Sequence, residues 1–232
     1  MTRIFRLAVA LLLLAAALIP AAVRVFSDAP ETGVTYVLDA GHGGEDGGAV
    51  SADGLREADV NLAVTLRTDA LLGLFGQSAV MTRSGAEIQY PDSATTTRQR
   101  KRYDQQSRAA LVNTTPGAVL VSIHQNQYSG AGPSGAQVFF GKAPGSEAFA
   151  QALQAQLSRL CEKERSAAAI SEDIYLMREA ACPAVLIECG FLSNPAELER
   201  LRSEDYQTRL SICIAGTCLR QAAELERVYG KG

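Results

Sequence analysis

The stretch Tyr36-Val-Leu-Asp-Ala-Gly-His-Gly-Gly-Glu-Asp-Gly-Gly48 begins as a short apolar run, stops at Asp39 and continues as a glycine-rich loop that holds His42. The chain has only two histidines. The second, His124, ends another apolar run, Ala118-Val-Leu-Val-Ser-Ile-His124. Both imidazoles are therefore expected where a buried strand reaches the edge of a sheet, which is where open α/β sheets place their ligands.

Apolar, β-rich runs alternate with helical patterns along the chain. Strands are predicted at 34–39, 78–83, 118–124, 135–140 and 184–188. Helices are predicted from Glu57 to a stop at Gly76 and at 106–113, 146–162 and 206–228, and the polar segment 84–105 is expected to be a long exposed excursion. The alternation predicts a single α/β domain with a mostly parallel twisted sheet flanked by helices.

Another helix start is marked by Asn194, which can cap a helix whose first residue is Pro195. Glu197 stands three residues after the cap, where its side chain is expected to reach back to the backbone N–H of Asn194.

Residues 1–26 differ from the rest of the chain. Arg3 and Arg6 precede an uncharged run from Leu7 to Val23, which Arg24 closes. This pattern predicts a signal peptide or an N-terminal membrane anchor, and a run of this length does not decide between the two. Basic residues before the run favour a cytoplasmic N-terminus, so the remainder is expected to be exported. Residues 27–33 then form a linker, and 34–228 form the folded domain.

Composition limits the possible functions. The net charge of -3 provides no basic field of the kind that nucleic-acid-binding proteins use, so nucleic acid is not an expected partner. Five cysteines leave at least one thiol unpaired within the chain. All five lie in apolar or helical patterns and are expected to be small buried hydrophobic residues.

Several familiar sites do not fit the loop around His42. The loop lacks the lysine of a phosphate-binding loop and the third glycine of a dinucleotide fingerprint. No zincin helix is present, because Gly43 follows His42 and Gln125 follows His124. The sequence also contains no nucleophile elbow of the serine hydrolases.

A metal site assembled from separate strand ends fits the two histidines better. Catalytic zinc commonly takes two imidazoles and one carboxylate and keeps a fourth position open. Glu57, at the start of the helix after the loop, can supply the carboxylate. Spacing alone leaves four competitors for that role: Glu45, Asp46, Asp53 and Asp59.

Glu188 ends the apolar strand Ala184-Val-Leu-Ile-Glu188. Consecutive apolar residues indicate a strand covered on both faces, so this carboxylate is expected at the central part of the sheet edge. From there it can act as general base on a zinc-activated water and then as acid toward a leaving amine.

Four motifs in order resemble the zinc-dependent N-acetylmuramoyl-L-alanine amidases: Asp39-Ala-Gly-His-Gly-Gly44, Gly54-Leu-Arg-Glu57, Ser122-Ile-His-Gln-Asn126 and Pro183-Ala-Val-Leu-Ile-Glu-Cys-Gly-Phe-Leu-Ser-Asn-Pro195. The resemblance implies hydrolysis of the amide between N-acetylmuramic acid and the L-alanine of the peptidoglycan stem peptide. It also implies one zinc ion held by His42, Glu57 and His124, with Glu188 as the catalytic carboxylate.

The resemblance extends to further residues and to partners. Arg83 and Arg108 are interpreted as structural, and Arg178 as a contact for either a substrate carboxylate or a neighbouring acid. A basic cluster departs from the family pattern and is expected to be a solvated face or to contact anionic wall polymer or stem-peptide carboxylates: Arg98, Arg100, Lys101 and Arg102.

The single anchor-like segment before one bare domain resembles the spore-cortex, germination-related subfamily, which implies a possible activating lipoprotein partner. Two alternatives stay open: a zinc peptidase acting on stem peptides and a non-catalytic wall-binding domain.

Overall fold

Six strands form one sheet in the computed structural model, which describes residues 33–77, 79–130, 132–171 and 173–229. The strands are β1 (Thr35–Ala40), β2 (Ala79–Met81), β3 (Ala118–Asn126), β4 (Gln137–Phe140), β5 (Ala168–Ala169) and β6 (Ala184–Phe191). The helices are α1 (Glu57–Leu74), α2 (Thr97–Thr114), α3 (Ser146–Cys161), α4 (Tyr175–Glu179), α5 (Pro195–Arg202) and α6 (Glu204–Tyr229).

The strand order is β2-β1-β3-β6-β4-β5, and neighbouring strands are parallel except β4 and β6, which are antiparallel. The predicted single α/β domain with a mostly parallel sheet is confirmed. The side chains of successive strand residues alternate between two apolar layers. Tyr36 and Leu38 belong to the layer under α1, α3 and α6, whereas Val37 belongs to the layer under α2 and α4.

The structure differs from the sequence predictions at three places. Helix α2 begins at Thr97, inside the segment expected to be an exposed excursion, because Thr96 and Gln99 form a capping box there. Strand β5 and helix α4 were not predicted. Glu197 does not reach back to Asn194; its two oxygens instead accept hydrogen bonds from the backbone N–H groups of Gly135 (2.7 Å) and Phe191 (2.8 Å).

Helix α1 ends near its predicted stop, since Gly76 adopts a left-handed φ of 71° just beyond Leu74. All five cysteines are free thiols; four are buried, as expected, whereas Cys213 is partly exposed. No helix in the described part of the chain is both long enough and apolar enough to span a bilayer. The predicted signal peptide or anchor (1–26) lies outside the described residues, as does the linker (27–33) except for Gly33.

Candidate metal centre and active-site cleft

Three side chains from three different elements converge beyond the carboxyl end of the sheet. Glu57 Oε1 lies 3.3 Å from His42 Nε2 and 2.9 Å from His124 Nδ1. The two imidazole rings are nearly perpendicular, with centroids 5.0 Å apart. One potential ligand atom from each residue lies within 4.8 Å of the others, and no second such group of three occurs within the described ranges. The predicted convergence of the three residues is therefore observed.

His42 reaches this point because the chain turns sharply after β1. Its φ of 59° lies in the left-handed region, which is uncommon for a residue with a side chain. Gly41 packs directly against the His124 ring, and a Cβ at position 41 would overlap ring atoms. Gly48 has a φ of 65°, and a Cβ at this position would overlap the side chains of His42 and Glu57. The glycines thus allow the two imidazoles and the carboxylate to share one small space.

The second nitrogen of His42 is also engaged. His42 Nδ1 lies 3.1 Å from Asp46 Oδ1, which also accepts the backbone N–H of Gly48, and Lys101 Nζ lies 3.1 Å from Asp46 Oδ2. Burial opposes a charged His42, but hydrogen bonds to Asp46 and Glu57 outweigh it and raise the pKa of His42 to about 9. The same contact with His42 holds the pKa of Asp46 well below its usual range.

Glu57 is the first residue of α1, where the helix dipole favours a negative charge. Its Oε2 accepts the backbone N–H of Ala49 (2.8 Å), and its Oε1 accepts that of Gln125 (3.1 Å). Burial raises the pKa of Glu57, but the two histidines outweigh burial and hold it below its usual range. The competing carboxylates lie elsewhere: Asp46 on the far side of His42, Glu45 against Arg100, Asp53 against Arg202, and Asp59 exposed.

Glu188 is directly opposite His124 in the β3–β6 ladder. Its Oε2 is buried and has no hydrogen-bond partner among the described residues. Burial, opposed by His124 and assisted by Glu57, raises the pKa of Glu188 to about 7. A buried carboxyl group with a raised pKa in a cleft is characteristic of functional sites.

These residues line one cleft of about 400 Å³ on the sheet face that α2 and α4 partly cover. Its floor includes Asp39, Ser122 and Leu186. Lys101 and Asp104 of α2 form one side, and the other side consists of residues in and just before α4: Asp173, Ile174, Tyr175, Leu176 and Met177. Sequence reasoning missed this second wall because α4 is a single short helical turn with no extended periodicity.

The family model of N-acetylmuramoyl-L-alanine amidases matches residues 37–218. The chain belongs to this amidase family. A germination-specific N-acetylmuramoyl-L-alanine amidase of Bacillus subtilis (strain 168) is 37% identical over 196 residues, which cover 84% of this chain and 82% of that protein. The predicted family and enzyme class are confirmed.

Solved structures agree with this assignment. The CwlD amidase from Clostridioides difficile, determined in complex with the GerS lipoprotein, matches with a TM-score of 0.77 and 33% identity, covering 83% of this chain and 99% of that chain. The catalytic domain of CwlV from Bacillus (Paenibacillus) polymyxa var. colistinus matches with a TM-score of 0.69 and 27% identity, covering 81% and 97%.

Beneath the three convergent residues, the amidase buries a charged network centred on Asp39. Asp39 Oδ1 accepts hydrogen bonds from Arg108 Nη1 (2.7 Å) and Thr82 Oγ1 (2.8 Å), and Oδ2 accepts one from Ser122 Oγ (2.5 Å). Burial raises the pKa of Asp39, but the charges of Arg108 and His124 and the hydrogen bonds from Ser122 and Arg108 outweigh burial and lower the pKa to about 2. The network joins β1, β3, α2 and Thr82, the residue that follows β2, directly under the cleft.

Two arginines hold the backbone around His42, at the end of β1 and the start of the glycine-rich loop. Arg83 donates to the carbonyl oxygens of Ala40 (2.9 Å), Gly41 (3.1 Å) and Ala58 (2.8 Å). Arg108 donates to those of Ala40 and His42, both at 2.7 Å. Both arginines are buried. These contacts agree with the structural interpretation of Arg83 and Arg108.

Arg178 lies at the end of α4. Its Nε is 3.0 Å from Glu179 Oε1, and its guanidinium lies 5.1 Å from the centroid of the Tyr175 ring. The first contact corresponds to the neighbouring-acid alternative, and contact with a substrate carboxylate stays a prediction.

The basic cluster is only partly the solvated face that was expected. Arg98 and Arg102 are exposed, whereas Arg100 pairs with Glu45 and Lys101 pairs with Asp46.

Proposed function

We propose that this amidase hydrolyses the amide bond between the lactyl group of N-acetylmuramic acid and the L-alanine of the stem peptide, using one zinc ion held by His42, Glu57 and His124. The observation that carries the proposal is the placement in one cleft of three convergent ligand atoms and of the Glu188 carboxylate, whose Oε2 is buried. Membership of the amidase family supports the choice of bond.

The donor set fits zinc in kind and in spacing. Two imidazole nitrogens and one carboxylate oxygen form a common catalytic zinc site, which leaves one position for water or substrate. Ligand atoms about 2.0–2.1 Å from a tetrahedral ion lie about 3.3 Å apart, and His42 Nε2 and Glu57 Oε1 are 3.3 Å apart. When bound, zinc supplies Lewis acidity to the attacking water and to the scissile carbonyl.

Glu188 is the proton carrier in this proposal. A catalytic acid–base group works best when its pKa is near the operating pH, and burial raises the pKa of Glu188 to about 7. The buried Oε2 has no protein partner to compete with water or substrate in the described part of the chain. Glu188 takes one proton from the attacking water and later delivers it to the amine of L-alanine. The C–N bond breaks, a C–O bond forms on the lactyl carbonyl carbon, and one water molecule is consumed.

The remaining residues keep the reacting groups in place. Arg83 and Arg108 hold the carbonyl oxygens on both sides of Gly41, and Asp39 holds Arg108. Arg178, which follows the cleft-lining residues of α4, is the residue we assign to a carboxylate of the substrate. Preorganised groups of this kind avoid reorganisation during the reaction.

The biological setting we propose is the peptidoglycan of the spore cortex. Similarity to a germination-specific amidase and to CwlD supports it. An exported protein, secreted or anchored through residues 1–26, follows from the location of that substrate outside the cytoplasm. The lipoprotein bound to CwlD is the basis for proposing an activating lipoprotein partner here.

Digestion of purified peptidoglycan by the full chain tests the function. Free muramoyl lactyl groups together with new N-terminal L-alanine are expected. New peptide ends within the stem would support the zinc peptidase instead, and intact peptidoglycan with retained binding would support the wall-binding domain. Omission of zinc and treatment with a chelator are the matched controls.

A further inference from the structure

His42 has two ring nitrogens, and the proposed zinc site uses only Nε2. The other nitrogen, Nδ1, faces Asp46 at 3.1 Å. We propose that Asp46 and Lys101 are positioning residues that orient His42 for metal binding, with Lys101 coupling helix α2 to the ligand loop. This inference rests on the proposed zinc-dependent function and assigns a role to a basic residue that departs from the family pattern.

The first step concerns the tautomer of His42. An ionised carboxylate only accepts hydrogen bonds, so Asp46 Oδ1 requires a proton on His42 Nδ1. In the neutral ring that binds a metal, the lone pair is then left on Nε2, the nitrogen that lies 3.3 Å from Glu57 Oε1. Asp46 thus selects the nitrogen that faces the other two ligands and fixes the plane of the ring.

The second step concerns the position of Asp46 itself. Its Oδ1 also accepts the backbone N–H of Gly48 at 3.1 Å, and the backbone of residues 43 and 46 is joined by paired hydrogen bonds of 2.8 and 3.0 Å. Its Oδ2 faces Lys101 Nζ at 3.1 Å. The carboxylate is therefore held by both oxygens, one toward the loop and one toward α2.

The third step concerns α2. Arg100, the residue before Lys101, pairs with Glu45, the residue before Asp46. Two consecutive residues of the helix thus contact two consecutive residues of the loop that carries His42. The Lys101 side chain is about half exposed (54%), so this ion pair contributes little to folding stability. Its effect is expected on the geometry of the metal site.

The experiment measures the zinc affinity of the full chain, purified in mild detergent, by competition with a chromophoric chelator. Variants are Asp46→Ala, Lys101→Met, the double variant, and Arg102→Met as the matched control. Arg102 lies next to Lys101 and is exposed, and its side chain forms no ion pair or hydrogen bond with any residue of the described ranges. Cobalt(II) absorption spectra of the same variants report the ligand geometry independently of activity.

Asp46→Ala should weaken zinc binding by about 10–100-fold, as is typical for the loss of a partner of a ligating histidine. Lys101→Met should weaken binding by about 2–10-fold in the wild-type background and have no effect in the Asp46→Ala background, because both act through one contact. The cobalt spectrum should change in the Asp46 and Lys101 variants but not in Arg102→Met.

Unchanged zinc affinity in Asp46→Ala would overturn the inference, and so would a loss of affinity on Lys101→Met that is the same with and without Asp46. Neither result would overturn the proposed zinc site, provided that the wild-type chain binds zinc. A wild-type chain that binds no zinc would overturn both.

Discussion

Replacement of Glu188 by glutamine tests the proposed division of labour between the metal ligands and the proton carrier. Glutamine is nearly the same size but cannot accept a proton. General acid–base catalysis contributes typically 10²–10⁴-fold to the rate. We therefore expect kcat/KM to fall by about 10²–10⁴-fold, which corresponds to a loss of about 3–5 kcal/mol of transition-state stabilisation.

The structure indicates that this loss is not caused by unfolding or by loss of the metal. Glu188 is not one of the three convergent residues, and its Oε2 has no protein partner to lose among the described residues. Glu188→Gln should therefore bind one zinc ion per chain and unfold at a temperature close to that of the wild type. Glu199→Gln, which makes the same charge change on an exposed side chain of α5, is the matched control.

The assay is release of N-terminal L-alanine from purified peptidoglycan, measured at several substrate concentrations with zinc content determined in parallel. The reasoning is refuted if Glu188→Gln keeps kcat/KM within tenfold of the wild type while retaining zinc. Loss of zinc together with loss of activity would instead place Glu188 among the ligands.

Three further predictions concern the metal, the loop and the buried network. Removal of zinc by a chelator should abolish hydrolysis, and unchanged activity after chelation would contradict a metal mechanism. Zinc restored at 100 times its Kd should stabilise the fold by about 2.7 kcal/mol and raise the Tm by about 5–10 °C. Gly41→Ala should displace His124, because the added methyl group would overlap the His124 ring. Zinc binding measured by calorimetry should therefore weaken at least about tenfold, whereas an affinity equal to that of the wild type would show that the loop adapts. In the metal-free chain, Asp39→Asn should lower the free energy of unfolding by about 2 kcal/mol at pH 7. Burial raises the pKa of Asp39, but the charges of Arg108 and His124 and the hydrogen bonds from Ser122 and Arg108 outweigh burial and lower the pKa from 3.8 to about 2. This contribution of Asp39 to stability is present above about pH 4 and is lost as the pH falls through about 2. If denaturant titrations showed that Asp39→Asn lowers the free energy of unfolding equally at pH 7 and near pH 2, the ion pair with Arg108 would be excluded as the source.

The architecture was predictable from the sequence because its strands are apolar on consecutive residues. Val185, Leu186 and Ile187 are all nearly fully buried, as expected for a strand covered on both faces. The positions of His42, His124 and Glu188 followed from the same pattern, since each lies at or just beyond the end of such a run. Their convergence requires only that parallel strands present their carboxyl ends to the same edge.

The start of helix α2 was predicted wrongly because the helix has few buried residues, and all of them lie in its C-terminal half. Only Arg108, Ala109 and Val112 are buried, so the first three turns carry no apolar stripe. The capping signal at Thr96 and Gln99 was present in the sequence and could have placed the start correctly. The contacts of Arg100 and Lys101 with the loop that carries His42 were missed for the same reason, because a segment interpreted as an exposed excursion offers no fixed contact with that loop.

Glu197 illustrates a different difficulty. The N-cap prediction is correct, since the Asn194 side chain caps α5 by accepting the backbone N–H groups of residues 196 and 197, but the reciprocal contact from Glu197 does not form. Two backbone N–H groups outside α5 compete successfully for the carboxylate: that of Phe191, at the end of β6, and that of Gly135, which is far away in the sequence. Local sequence patterns contain no information about such partners. The wall formed by α4 and the assignment of Asp46 to the far side of His42 depend on tertiary contacts in the same way.

The most direct test of the zinc site is the zinc K-edge X-ray absorption spectrum of the purified full chain carrying one equivalent of zinc. We predict a first shell of nitrogen and oxygen atoms at about 2.0–2.2 Å, with the outer-shell scattering of two imidazoles and no sulfur. A zinc–sulfur distance of about 2.3 Å, from any of the five cysteines, or a shell without imidazole scattering would contradict the assignment of His42, Glu57 and His124 as the ligands.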